Sequence, residues 1–234
     1  MDTRKLLLGI FLLASFGVIL ILIFMPIFGD GKNGLEFSDN FFNSLAKGSS
    51  NYMDDMRRLS QTMVGTSFAV GINMGTPERA QRTEILFRQA GAQVELADSK
   101  LKISGDLGKV LAKSVDDAEI LFNNQAEKLQ AAYNFNGREV VRLWWESLNK
   151  VSEALTKQKA FKQAKAISEI QKRALEPGYN FYGITPKRVR DYAGMLGFML
   201  VFYVAYTLWY GYGIFELFEG LGLGVGKPMV KKEV

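Results

Sequence analysis

Carboxylates, lysines, serines and tyrosines are the groups left to this chain for chemistry, because it contains neither histidine nor cysteine. Without cysteine there is no disulfide, thiolate nucleophile, cysteine-ligated iron–sulfur cluster or zinc thiolate site. Without histidine there is no imidazole-ligated haem or metal and no Ser–His–Asp triad. An all-oxygen site for Mg or Ca survives this exclusion. The acidic clusters Asp54-Asp55 and Asp116-Asp117-Glu119 lack the spacing of a calcium loop, however, and read as solvated helix acids. Ser104-Gly105-Asp106-Leu107-Gly108-Lys109 has too few glycines, wrongly spaced, for a phosphate loop. It reads as a strand-to-helix turn capped by Asp106. The expectation is a chain with no cofactor, no metal and no catalytic constellation, hence not an enzyme.

Glu216 and Glu219 lie three residues apart, so a helix carries them on one face. At the end of an apolar stretch they read first as interfacial acids. Inside a membrane the same pair would point to ion or proton handling. Three further groups are binding candidates. Trp144 and Trp145 are adjacent, so a helix turns them to different faces, one to the core and one toward a partner or membrane. Tyr203, Tyr206 and Tyr210 fall at i, i+3 and i+7 and share a face suited to a helix–helix contact. Lys187, Arg188 and Arg190 close a stretch from Lys157 in which Glu169 and Glu176 are the only acids, a charge pattern that suits anionic lipid head groups or an acidic partner.

Two apolar segments must position these groups. Residues 6–28 carry no charge and would rise about 34 Å as a helix, enough to cross a bilayer core of about 30 Å. The exit Met25-Pro26-Ile27-Phe28-Gly29-Asp30 lacks a small-x-small cleavage site, so the segment reads as an uncleaved anchor rather than a signal peptide. Residues 192–218 form the second span. Tyr192 marks one rim, and Trp209, Tyr210 and Tyr212 mark the other. Gly220 to Gly226 alternates glycine with apolar residues and reads as a flexible or re-entrant exit. It is followed by the basic tail Lys227, Lys231 and Lys232.

Between the spans, residues 29–191 have the composition of a soluble domain. Residues 37–47 and 52–64 read as helices, the first with Ser38 as cap. Ser67–Asn73 alternates apolar and small residues as a strand does, and Thr76-Pro77-Glu78 opens a helix with cap, proline and first-turn acid. A hairpin turning at Ala97-Asp98-Ser99-Lys100 and a helix from Asp106 complete a β-α-β-β-α unit over residues 66–126. Residues 137–176 form a long helical stretch. Its stripe Val141, Trp144, Leu148, Val151 and Leu155 slips phase near residues 156–159, and Glu176-Pro177-Gly178 is expected to stop it. The aromatic run from Tyr179 to Gly183 reads as packing at the membrane surface.

The fold class expected is thus an α+β membrane protein: N- and C-terminal transmembrane helices (1–28 and 192–218), a mostly helical water-facing domain between them, and a tail at 219–234. Lys and Arg exceed Asp and Glu by 29 to 24, too small an excess to argue for nucleic acid. Arg4 and Lys5 before the first span, with acids after it, favour cytoplasmic termini and an extracytoplasmic domain, as in a bacterial inner membrane. Lys172, Arg173 and Lys187 to Arg190 on the loop side pull the other way. The function expected is a non-catalytic accessory or scaffold subunit whose partners are other membrane subunits. A ligand- or lipid-binding sensor, and ion handling through Glu216 and Glu219 in a homo-oligomer, are the alternatives.

Overall fold

The sheet forms where apolar residues alternate. In β1 (Ser67–Asn73) Phe68, Val70 and Ile72 are buried and the residues between them exposed. β2 (Gln93–Ala97) and β3 (Lys100–Asp106) repeat that pattern. The three strands pair antiparallel in the order β1-β3-β2, with Val70 opposite Ile103 and Ile103 opposite Val94. The computed structural model describes residues 2–29 and 31–223. The basic tail Lys227, Lys231 and Lys232 and the end of the glycine run lie outside the described residues, as does Asp30.

The fold is mostly helical. α1 (Thr3–Phe24), α2 (Gly34–Ser49) and α3 (Met53–Gln61) precede the sheet. α4 (Pro77–Gln89) joins β1 to β2, and α5 (Leu107–Phe122) follows β3. Both are capped as the sequence requires. Thr76 accepts the Arg79 amide, and Asp106 accepts the Lys109 amide while also holding the Gly65 amide at 2.8 Å. That bond to Gly65 comes first among the causes that hold the Asp106 carboxyl below the usual range. Then come α6 (Ala126–Tyr133), α7 (Gly137–Lys157), α8 (Phe161–Ile170), α9 (Glu176–Asn180) and α10 (Ala193–Gly220).

Several boundaries differ from expectation: α1 ends at Phe24, before Pro26, rather than at residue 28, and α3 ends at Gln61 rather than at 64. Ser38 does not cap α2. Asn33 does so, accepting the Glu36 amide at 2.9 Å while Glu36 accepts the Asn33 amide at 3.2 Å, and the Ser38 hydroxyl bonds back to the Gly34 carbonyl inside the helix. Pro177 does not stop the helical stretch. Gln171–Leu175 widens into a π turn in which the Glu176 amide reaches the Gln171 carbonyl, and α9 continues with Pro177 in its first turn. The wider turn accommodates a proline that can neither donate an amide nor fit a regular α-helix interior. α10 runs past 218 to Gly220, so Glu219 belongs to the helix and not to a tail. The phase slip near 156–159 is a true break: α7 ends at Lys157, and Lys159 has a φ of 62° before α8 begins.

The chain divides into two compact units, Met1–Phe42 with Lys187–Val234, and Asn43–Pro186. In the latter, the inner face of the sheet, α4, α5 and the predicted stripe of α7 share one core centred on Phe87, Leu111, Trp144 and Leu148. In the former, α1 and α10 pair antiparallel, and both are long and apolar enough to cross a membrane.

Candidate functional site

Glycine sets the spacing of the α1–α10 pair. A Cβ on Gly9 would meet the Leu217 nitrogen at 2.4 Å, and one on Gly220 would meet the Leu6 nitrogen at 2.3 Å, so these backbones touch where a side chain has no room. The Asp2 amide donates to the Gly220 carbonyl at 3.0 Å, fastening the start of one helix to the end of the other. Tyr206, Trp209, Gly213, Glu216 and Gly220 recur at alternating spacings of three and four, which makes the α1-facing seam of α10.

That seam brings the two glutamates against Lys5. Lys5 pairs with Glu219 and lies within electrostatic reach of Glu216, which is only 6% exposed. The Tyr212 hydroxyl approaches Glu216 from one turn away. One ammonium thus serves two carboxylates at an apolar helix junction. Lys5 was the residue sequence reasoning missed, because its partner stands more than two hundred positions away in the chain.

The three tyrosines do not share a function. Tyr206 faces α1, where its hydroxyl donates to the Phe16 carbonyl at 3.1 Å and its ring stacks on Phe16 at 4.2 Å. Tyr210 also reaches Phe16, at 4.9 Å, but remains half exposed. Tyr203 is 66% exposed, and its hydroxyl has no hydrogen-bond partner among the described residues. Lys187 stacks its ammonium over the Tyr192 and Phe41 rings at 4.8 and 5.7 Å, whereas Arg188 and Arg190 are exposed and form no ion pair among the described residues.

In the α+β unit the tryptophan pair separates as adjacency requires. Trp144 is fully buried and Trp145 presents its ring to solvent. The partner of Trp144 corrects the reading of the acidic cluster. Asp117 is fully buried, accepts the Trp144 indole N–H at 2.8 Å and the Tyr133 hydroxyl, and pairs with Lys113 at 2.7 Å. Burial, and next the Asp117 charge, push the Tyr133 phenol well above its usual range. Its neighbours are not free either: Arg57 on α3 binds Asp116 at 3.0 Å and Glu119 at 2.6 Å. A signal for Asp117 was present in its spacing, seven residues after Val110 and four before Leu121, on the apolar face of α5.

A second buried polar node centres on Lys47, which is 2% exposed. Its ammonium donates to Asn124 Oδ1 at 3.1 Å, the Phe181 carbonyl at 2.9 Å and the Ile184 carbonyl at 2.7 Å, and lies 5.0 Å from the Phe122 ring centre. Asn124 also accepts the Gly183 amide and donates to Ile184. Desolvation holds Lys47 below the usual lysine range. The aromatic run is thereby tied to the domain, and Phe181 packs edge-on against Phe122 at 6.2 Å.

Among the described residues no group of three or more acids is arranged to hold a metal. The class defined by these features is a mostly helical protein with a small antiparallel sheet and two apolar helices of membrane-crossing length. No protein-family model, curated protein or solved structure matches the chain.

Proposed function

We propose that this chain is a non-catalytic accessory subunit of a membrane protein complex. α1 and α10 serve as its two spans, with cytoplasmic termini and the Asn43–Pro186 unit outside. The outward surfaces of both helices support insertion. Leu7, Phe11, Ile21, Phe198, Leu200 and Leu208 are all exposed, and such a surface is costly in water and at ease in lipid.

The observation that carries the subunit reading is Tyr203. It lies near the middle of α10, exposed on the surface of the helix pair, with an unpaired hydroxyl. A polar group at that depth in a bilayer has no water to bond and seeks an acceptor on a neighbouring helix. Leu200, Thr207 and Tyr210, at three, four and seven residues from Tyr203, share its helix face and are exposed toward such a neighbour.

Extraction from the native membrane in mild detergent, followed by native mass measurement, tests this reading. The expected result is a stoichiometric assembly with other membrane subunits that is weakened in Tyr203→Phe and Tyr203→Leu. A lone chain of 26.2 kDa in the wild type would sink it.

A second reading, ion or proton handling, is favoured by Glu216, a carboxylate buried between apolar helices whose nearest ammonium is already paired with Glu219. Unchanged ion flux in Glu216→Gln would remove it.

A further inference from the structure

An open groove of about 380 Å³ runs along α7, where Val141 and Trp145 face Leu175 and Tyr179. Two features of the chain build it. The π turn seats Leu175, fully buried, beneath the groove floor, and Gly178 pins α9 onto α5, where a Cβ would meet the Ala118 carbonyl oxygen at 2.7 Å. The frame is tied on both sides. Gln171 donates to the Trp145 carbonyl at 2.9 Å, and the Trp145 indole donates to Glu176 at 3.1 Å.

The charges at the rim are unequal in their commitments. Glu146 is held by Arg79 and by Arg142, the latter at 3.1 Å, and Glu176 is held by Trp145. Arg138, one turn before Val141 and Arg142 on the same side of α7, stacks its guanidinium on Tyr179 at 4.4 Å. It has no carboxylate partner among the described residues. A stacked guanidinium keeps its planar fork of donors available for a carboxylate. The acids of the groove and its lining Arg142 are therefore engaged, and Arg138, beside the groove on Tyr179, is the cation left for a carboxylate.

An open groove covers only one side of a small molecule, whereas ligand pockets enclose most of theirs. An exposed Trp and a half-buried Tyr beside Arg match the residue types that dominate protein–protein binding energy. We propose that this groove docks an acidic segment of a partner protein. One apolar side chain of that segment enters against Trp145 and Tyr179, and a neighbouring carboxylate pairs with Arg138. The site lies wholly within Asn43–Pro186, so it stands whether or not α1 and α10 cross a membrane.

The test uses the full chain in zwitterionic nanodiscs and two dye-labelled amphipathic helical peptides. The peptides share the same leucines and carry either glutamate or lysine at every polar position. Fluorescence anisotropy is expected to show binding of the glutamate peptide, at least tenfold weaker in Arg138→Glu and in Trp145→Ala, with Arg138→Gln intermediate. The lysine peptide is expected to bind more weakly than the glutamate peptide to the wild type and to gain on Arg138→Glu. Unchanged melting temperatures in the Arg138 variants separate loss of the site from loss of the fold. Three results would each overturn the proposal: no binding of the glutamate peptide, equal binding of both peptides, or binding to empty nanodiscs that matches binding to the protein.

Discussion

The Tyr206 hydroxyl donates to the backbone carbonyl of Phe16 across 3.1 Å while the two rings stack at 4.2 Å, so one residue makes both a polar and an apolar contact between α1 and α10. The two contributions are separable. Tyr206→Phe keeps the stack and removes the hydrogen bond, a loss of about 0.6–2 kcal/mol for a bond between helices in lipid. Tyr206→Ala removes both and is expected to cost more. Thermal unfolding in detergent should rank the wild type above Tyr206→Phe, and Tyr206→Phe above Tyr206→Ala.

The close approach of the helices rests on Gly9 and Gly220, where no side chain fits. A Cβ built on Gly213 would lie 3.3 Å from the Leu12 Cβ, near the span of about 3.5–4.5 Å that a disulfide bridges. Because the chain has no cysteine of its own, the double variant Leu12→Cys with Gly213→Cys gives an unambiguous crosslink. It should oxidise readily to a faster-migrating species on a non-reducing gel. Adding Gly9→Leu should abolish the crosslink by forcing the helices apart.

Asp117 is expected to matter more to stability than its place in an acidic cluster suggests. Trp144→Phe leaves the carboxylate short of one donor and should cost about 1–3 kcal/mol. Asp117→Ala breaks the pair with Lys113 and strands the Trp144 and Tyr133 donors together, at about 3–5 kcal/mol. Melting temperatures should fall in that order. Near-ultraviolet circular dichroism should show the Trp144 environment loosened in Asp117→Ala.

Lys47 joins a residue early in the α+β unit to carbonyls near its end. Lys47→Met should leave those acceptors unpaired and speed hydrogen exchange at the amides of Gly183 and Ile184 before the core strands are affected. The pH dependence has a definite sign. Because the folded-state value lies below 10.5, the unfolded chain holds more protons between the two values. The wild type should therefore gain stability relative to Lys47→Met as pH rises through that window, with no further gain above it. An opposite slope in parallel denaturation series would refute the desolvation account.

The sheet unit was legible because its signals are local. Alternation at Phe68, Val70 and Ile72, the Thr76 cap and the Asp106 cap all act within a few residues. The α7 stripe was legible for the same reason. Pro177 misled because a π turn, which no residue type announces, can admit a proline that an α-helix would not. The partners of Lys47, Lys5 and Asp117 were not legible as partners. A lysine on an amphipathic helix reads as solvated until the fold brings distant oxygens to it, and Lys47 meets carbonyls from Phe181 and Ile184. The tyrosine trio shared a face on paper. Only the position of α1 decides that Tyr206 is inside the pair and Tyr203 outside it.

The most direct test of the central claim is single-cysteine labelling in intact cells with a membrane-impermeant maleimide. Cysteine is placed in turn at Asp2, at Ser99 in the turn between β2 and β3, and at Thr207 in the middle of α10. The account predicts labelling of Ser99→Cys in intact cells, labelling of Asp2→Cys only after the membrane is opened, and no labelling of Thr207→Cys until the protein is denatured. Labelling of Thr207→Cys in intact membranes, or of Asp2→Cys and Ser99→Cys from the same side, would contradict it.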